Sequence, residues 1–360
     1  MLEAHEQLDV PSRSVDEIPF TVPFRKAIEI DGQAQFHPLK YIKGLAAAFV
    51  EKGGKIRTEA RVVEHEAKEQ YIQIACANAT YRGKNLVWAT HIPPGMNRFS
   101  ALTAPYRSYA LAAKLATSPA QMAQAADLYD LYHYFRYHQA EDGYYLIVGG
   151  FDHKTGHEDD TEKPFDDLVN YATENFTFTE IVSKWSSQFY VPVDGLPYIG
   201  KMPGEENIFV ATGYNGNGMT WGTLAGSILA DVILGKENEL GDIVSPDRIE
   251  VTASAKEFVK ENADAVFHLI RDQFTADNKS VLEELLPGEG KVINYNSQRV
   301  AAYKTEKGNL ELVSAVCPHM GCIVNFNNSE KTWDCPCHGS RFKTCGELIT
   351  GPSLTGLKEI

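Results

Sequence analysis

Between Pro38 and Lys52 the apolar residues Ile42, Leu45, Ala46 and Val50 share one face of a 3.6-residue period, and Gly53-Gly54 follows. That pattern predicts a helix over 38–52, closed by the glycine pair. Residues 1–35 are mixed, with one strand expected near Arg25–Ile30. From Lys55 to Thr90 the pattern turns strand-like: K-I-R-T-E-A-R-V-V-E-H-E, then Q-Y-I-Q-I-A-C-A, then N-L-V-W-A-T. The middle run alternates apolar and polar residues, as a half-buried antiparallel strand does, and the last is a continuous apolar strand suited to a buried sheet. Residues 105–152 hold three more strand-like runs, Y-R-S-Y-A-L-A-A-K-L, D-L-Y-H-Y-F-R-Y and G-Y-Y-L-I-V-G-G. A helix is expected over Phe165–Asn175, followed by the strand-like I-V-S-K-W-S-S-Q-F-Y and the turn-rich D-G-L-P-Y-I-G. A strand Asn207–Thr212 leads into Gly213, Gly216 and Gly218, then a helix from about Thr220 to Leu234 that closes at Gly235. Residues 236–253 read as a crossing connection and Ala255–Gln273 as an amphipathic helix. Beyond Ala276 short strands and Gly/Pro turns predict a small all-β domain, which divides the chain into 1–275 and 276–360.

Length and charge narrow the class. A chain of 360 residues suits two or three domains, and 43% hydrophobic content supplies ordinary cores. A net charge of −14 argues against a nucleic-acid binder, which would show a basic stripe. No apolar run reaches the roughly 18–20 residues that span a bilayer. The start, M-L-E-A-H-E-Q-L-D, has neither the basic nor the apolar region of a secretory signal, so a cytoplasmic protein without a membrane span is expected. Five of the six cysteines fall between Cys317 and Cys345, a clustering that favours a metal site over a disulfide scaffold.

Those cysteines form two boxes with histidines, C-P-H-M-G-C at 317–322 and C-P-C-H-G-S at 335–340. Cys317 with His319, and Cys335 with His338, offer one thiolate and one imidazole from each loop. Gly321 and Gly339 let the backbone pass close to a bound group. Two cysteines and two histidines suit a structural zinc ion. They also suit a two-iron cluster in which two imidazoles replace two thiolates on one iron. The boxes resemble the Rieske [2Fe–2S] family over roughly Val281–Ile360, and G-E-L-I-T-G-P-S resembles that family's Gly-Pro loop at Gly351-Pro352. The resemblance implies Cys317 and Cys335 on one iron and His319 and His338 on the other. It also implies a disulfide between Cys322 and Cys337, as in the family's disulfide-containing branch. High-potential relatives carry a serine and a tyrosine after the second histidine; here Ser340 is kept and Phe342 takes the tyrosine position. Hydrogen bonds to cluster sulfur raise the potential, so an intermediate value is expected. Cys345 reads as a local thiol and Cys76 as a core residue.

Upstream, D-G-L-P-Y-I-G at 194–200 and N-I-F-V-A-T-G-Y-N-G-N-G-M-T at 207–220 resemble the glycine- and D-amino-acid-oxidase flavoproteins. The resemblance implies bound FAD. Gly195, Gly213, Gly216 and Gly218 would allow close approach, and the backbone amides of Met219 and Thr220 would stabilise negative charge at a helix N-terminus. Q-F-H-P-L-K-Y at 35–41 and G-G-F-D-H-K-T-G at 149–156 are similar to members of this family fused to a Rieske domain; His37, His153 and His157 read as loop and packing residues. The family's strand–G-x-G-x-x-G–helix fingerprint does not occur in the sequence. Met1 therefore reads as lying past that dinucleotide-binding unit. The expected fold is multidomain: a truncated α/β plus α+β flavoprotein part followed by the all-β Rieske domain. On this reading N-L-V-W-A-T lacks its parallel neighbours, and tight FAD binding calls for a partner segment that completes the fold.

The implied function is an oxidoreductase passing electrons between a flavin that oxidises an amine or amino acid and a Rieske cluster, with an electron donor or acceptor protein as partner. The alternative is a non-catalytic Rieske electron carrier whose flavoprotein part no longer binds FAD. A Rieske oxygenase would need two histidines and a carboxylate for a mononuclear iron, and no such set is visible. No residue declares itself a general base. Tyr132, Tyr134 and Arg136 are candidates to face the flavin, or the tyrosines simply pack beneath the sheet.

Overall fold

A computed structural model of the chain describes residues 1–129, 132–248 and 280–360. The expected helix Ala255–Gln273 and the 275/276 division lie outside the described residues. In chain order the elements begin with α1 (Leu2–Gln7), β1 (Ser12–Val15), β2 (Ala27–Ile30) and α2 (Pro38–Glu51). There follow β3 (Val62–Ala67), β4 (Ile72–Cys76), β5 (Ala79–Gly83), β6 (Leu86–Trp88), α3 (Phe99–Leu102) and β7 (Thr103–Lys114). Next come β8 (Gln124–Ala126), β9 (His133–Ala140), β10 (Gly143–Lys154), α4 (Lys163–Asn175) and β11 (Glu180–Pro192). Then β12 (Tyr198–Lys201), β13 (Ile208–Thr212), α5 (Gly218–Ile233) and α6 (Glu239–Ile243) precede α7 (Ser280–Glu284). The C-terminal strands are β14 (Gly290–Tyr295), β15 (Gln298–Lys304), β16 (Leu310–Ser314), β17 (Asn325–Asn327), β18 (Thr332–Asp334), β19 (Arg341–Lys343) and β20 (Leu348–Thr350).

By internal contacts the chain divides into two units, Met1–Arg57 with Ser108–Asp152 and Lys163–Ser187, and Thr58–Arg107 with His153–Glu162 and Gln188–Ile360. The first unit is built on the sheet of order β11-β7-β10-β9-β8. Tyr109, Leu111 and Ala113 alternate on one face of β7, and Leu146 and Val148 do so on β10. α4 sets Phe165, Leu168 and Ala172 against them at helical spacing, with Phe176 just beyond its end. The helix α2 starts with Pro38 at its first turn, where the missing N–H costs nothing, and its apolar face faces outward. Leu39 is 61% exposed and Phe49 53%, with Ile42, Leu45 and Val50 alongside them.

The second unit holds the meander β3-β4-β5, the sheet β12-β13-β6 and two small sheets, β14-β15-β16 and β17-β18-β19-β20. One expectation is corrected here. β6, the N-L-V-W-A-T strand, has a parallel neighbour: Leu86, Val87 and Trp88 pair with Ile208, Phe209 and Val210 of β13. The partner lies about 120 residues away in the chain, beyond the reach of local pattern. Among the described residues β6 is the edge of that sheet on its other side. The expected strand from Lys55 begins only at Val62, the crossing connection contains α6, and the all-β part opens with α7.

Candidate functional site

Each Cys–His box closes on itself in the same way. The Cys317 amide donates to the Cys322 carbonyl at 2.8 Å and the Gly321 amide to the Cys317 carbonyl at 2.9 Å. The Cys335 amide donates to the Ser340 carbonyl at 2.8 Å and the Gly339 amide to the Cys335 carbonyl at 3.0 Å. Gly321 and Gly339 sit at φ 82° and 75°, the left-handed backbone that such a tight loop requires. Cys322 and Cys337 form a disulfide, 2.03 Å between sulfurs, that ties the two loops together. Cys317 and Cys335 are free thiols, both buried.

The two loops bring the expected donors together in two pairs, Cys317 with Cys335 and His319 with His338. The thiol of Cys335 holds the Cys317 pKa below its ordinary value, against burial. Cys335 is raised by the same thiol contact and by burial. The His319 and His338 rings meet edge to face, centroids 4.9 Å apart at 84°. Burial lowers the pKa of both imidazoles, that of His338 to about 4, with the charges of His319 and Lys154 adding to the effect. Neutral imidazole is the ligating form. Both ring nitrogens of His319 and Nδ1 of His338 are buried without a hydrogen-bond partner. Buried polar nitrogens left unpaired are costly, and a bound metal is what relieves that cost. The donor set therefore fits an iron–sulfur cluster, which the two thiolates and two imidazoles could hold. The Cys335 sulfur also lies within 4.8 Å of the disulfide sulfurs, which, being bonded to each other, are not thiolate donors.

Around these loops, the Ser340 hydroxyl accepts from the Ser353 amide at 2.9 Å and lies against the Cys317 thiol. Phe342 is fully buried in the same core as Cys317 and Cys335. The Gly351-Pro352 peptide is cis, and the Pro352 carbonyl accepts from the Gly95 amide at 2.8 Å. Beneath the second box, Asp334 accepts from Arg341 Nε at 2.9 Å, Asn327 Nδ2 at 3.0 Å and the Thr332 hydroxyl at 2.8 Å. Glu330 bridges Arg341 and the buried Arg107 at the start of β7. Burial would lower the Arg341 pKa, and Asp334 and Glu330 outweigh it and raise it. Cys345 is exposed, and Cys76 is half-buried with its thiol 3.4 Å from the Ala60 carbonyl.

The glycines expected near the flavin sit where the parallel strands end, the place where open α/β sheets take ligands. Gly213 and Gly216 have φ of 74° and 77°, and Gly195 has 78°. A Cβ at Gly213 would meet Pro192 at 2.9 Å, so packing already requires glycine there. A Cβ at Gly195 would have nothing within 4 Å, and one at Gly216 or Gly218 would have only ordinary contacts, which leaves room for a ligand there. Gly218, Met219 and Thr220 form the first turn of α5, and its N-cap Asn217 makes no side-chain cap. Those amides face an exposed surface, as anion binding at a helix N-terminus requires. The D-G-L-P turn is pinned by Arg248, whose Nε and Nη2 donate to Asp194 at 2.7 and 2.9 Å. These residues fit a flavin.

Tyr132 precedes β9 and Tyr134 lies on it, its ring across Gly149, where a Cβ would meet it at 2.2 Å. The Tyr134 hydroxyl is 3.3 Å from that of Ser108, and burial raises the pKa of Tyr132, Tyr134 and Asp152 in this group. Arg136 donates to the Phe36 carbonyl at 3.0 Å. His37 precedes α2 and packs edge-on to His138; His153 Nδ1 is 2.9 Å from the Lys154 carbonyl.

Gln188, Tyr190, His91 and Gly95, which touch the cluster loops or their neighbours, carry no signal in the sequence. They lie in ordinary strand and loop text, and only the tertiary fold brings them there.

Comparison with known proteins places this geometry. Residues 2–232 match the family model "DAO: FAD dependent oxidoreductase", and residues 279–360 match the Rieske [2Fe-2S] domain. The chain belongs to the FAD-dependent oxidoreductases of the D-amino-acid-oxidase type and carries a C-terminal Rieske [2Fe–2S] domain. Along 99% of its length it is 33% identical to the Rieske 2Fe-2S iron-sulfur protein YhfW of Bacillus subtilis, of which it spans 70%. A cytochrome b6-f complex iron-sulfur subunit from Chlorobaculum thiosulfatiphilum is 38% identical over 88 residues, 24% of this chain and 46% of that protein. Glycine oxidase from Geobacillus kaustophilus shares the fold with a TM-score of 0.55, at 18% identity, over 68% of this chain and 69% of that one. An L-amino acid deaminase from Proteus vulgaris does so at 0.52 and 17% identity, over 69% and 68%. Among the described residues no helix is long and apolar enough to cross a membrane.

Proposed function

We propose that this chain oxidises an amine or amino acid at FAD held against Gly195, Gly213, Gly216, Gly218, Met219 and Thr220. A Rieske cluster on Cys317, His319, Cys335 and His338 would then pass the electrons singly to an acceptor protein. The flavin supplies two-electron chemistry on the substrate and the cluster one-electron transfer. The chain's own residues position both groups. The α5 amides take the negative charge of flavin or phosphate, the two boxes set the ligands, and the disulfide keeps the boxes closed over them. The observation that carries this reading is that the glycine loop after β13 and the cluster loops belong to one compact unit. Within it, the Gly95 amide donates to the Pro352 carbonyl of the Gly-Pro loop. The reverse flow, from an external donor into the flavin, uses the same residues.

The outward apolar face of α2 and the absence of a G-x-G-x-x-G fingerprint support a covering segment that supplies the ADP-binding unit. They also favour the second reading, an electron carrier without flavin. One titration separates the two. Cluster-loaded protein is mixed with FAD, and then, without oxygen, with a panel of amines and amino acids. The oxidoreductase shows flavin bands that a substrate bleaches, followed by the cluster bands. A cluster spectrum unaltered by FAD leaves the carrier.

Phe342 carries a separate expectation. Phe342→Tyr places a hydroxyl in the core that holds Cys317 and Cys335, and a donor to cluster sulfur raises the potential. A redox titration should give a higher midpoint for the variant; an equal or lower one would refute the assignment of Phe342 as the potential-lowering position.

A further inference from the structure

One residue of β11 bonds both to the loop after β13, through its backbone, and to the second cluster box, through its side chain. The Tyr190 carbonyl accepts from the Asn215 amide at 3.0 Å, inside the glycine loop that precedes α5. At its other end the Tyr190 hydroxyl donates to the His338 carbonyl at 3.2 Å. Gln188, two residues earlier on the same face of the strand, donates from Nε2 to the Gly339 carbonyl at 2.9 Å and to the Tyr190 hydroxyl at 3.2 Å. The Thr155 hydroxyl donates to Gln188 Oε1 at 3.1 Å and so fixes that amide. The fit around Gly339 is close: a Cβ there would stand 2.6 Å from Pro105 and 3.1 Å from the Tyr190 hydroxyl.

The same ring reaches a second loop. His91, exposed at the end of β6, packs edge-on against Tyr190 with centroids 4.9 Å apart. The His91 carbonyl accepts from the Thr212 hydroxyl at 2.5 Å, which joins the loops that follow the two parallel strands. Tyr190 itself is 1% exposed. A buried phenol keeps its proton, since burial raises its pKa. It acts as a hydrogen-bond donor and spacer and takes no part in proton exchange.

We infer that Tyr190, braced by Gln188, is a positioning residue that holds the His338 loop at a fixed separation from the flavin-facing loops and thereby sets the electron path between the two cofactors. This rests on the proposed flavin-to-cluster reading. Tunnelling falls steeply with distance and is faster through bonded and packed atoms than across gaps. The Asn215–Tyr190–His338 chain is a hydrogen-bonded route between the two loops. On that reading the reduced flavin would give up its two electrons one at a time. Each would reduce one ferric iron of the cluster to ferrous and pass to the acceptor protein before the next, and the flavin's proton would go to water. No bond to Tyr190 forms or breaks.

Tyr190→Phe keeps the ring against His91 and deletes the hydroxyl that donates to His338 and accepts from Gln188. In the chain loaded with cluster and FAD, the flavin is photoreduced without oxygen and cluster bleaching is timed. The midpoint potential and the EPR line shape of the cluster are measured on the same samples. Loss of an outer-shell partner typically costs about 10-fold or more in activity, and a slowing of that size is expected with cluster content unchanged. A lower midpoint and an altered line shape are expected as well, with Tyr190→Trp failing to restore either. Equal rate, midpoint and line shape in Tyr190→Phe would overturn the inference. If wild-type protein binds no FAD, or its flavin never reduces the cluster, the functional reading fails. The midpoint and line shape then still decide whether Tyr190 positions the His338 loop.

Discussion

Cys335→Ser is expected to abolish the visible chromophore of the purified protein. Cys335 is buried at the centre of the C-terminal core, its thiol against that of Cys317 and beside the Cys322–Cys337 disulfide. A serine hydroxyl is a poor substitute for thiolate, because it stays protonated and is a harder donor than cluster iron favours. The effect extends to folding. Metal binding free energy is folding free energy where the ligands are otherwise buried and unpaired, as both ring nitrogens of His319 and Nδ1 of His338 are among the described residues. The variant should therefore show no cluster absorbance, little iron, and a lower thermal midpoint than the loaded parent. Cys345→Ser, at an exposed free thiol, should leave all three unchanged. A Cys335→Ser protein that keeps the full spectrum would remove Cys335 from the ligand set.

The second large effect concerns the charges beneath the same loop. Asp334 is 2% exposed and accepts from Arg341, Asn327 and Thr332. Asp334→Ala removes three hydrogen bonds and leaves Arg341, itself largely buried, with Glu330 and Thr332 only. Breaking one side of a buried pair typically costs about 3–5 kcal/mol, more than the pair's net worth, because the survivor stays desolvated. Urea unfolding of the loaded chain, followed by fluorescence of the neighbouring Trp333 and by cluster absorbance, should show a loss in that range. The exposed pair Lys343–Glu347 on the next strand offers the contrast, and Glu347→Ala should change nothing measurable. A loss for Asp334→Ala as small as that of Glu347→Ala would mean that water reaches the network.

Much of this was legible in the sequence where the determinants are local. The Cys–His boxes are read directly because ligand spacing within a tight loop is a property of a few consecutive residues. α4 was legible because Phe165, Leu168 and Ala172 fall at the helical period. Other features depended on partners distant in the chain. β6 reads as an orphan strand until β13 is seen beside it, and register across 120 residues leaves no local trace. β8, only Gln124–Ala126, is too short to show alternation, and β5, A-T-Y-R-G, lacks an apolar face. The apolar stripe of α2 was correctly placed on one face, yet periodicity does not say what covers it, and here it faces outward. The role of Tyr190 is hidden from the sequence for the same reason. Its chemistry lies in two hydrogen bonds, to residues 25 and 148 positions along the chain.

The most direct test of the account is elemental analysis joined to EPR on the purified chain. Iron and acid-labile sulfide should appear in the ratio of a [2Fe–2S] cluster. The reduced protein should give an EPR signal carrying nitrogen couplings from two histidines, which weaken when His319 or His338 is replaced. Bound zinc without labile sulfide, or an iron cluster whose signal ignores both histidines, would contradict it.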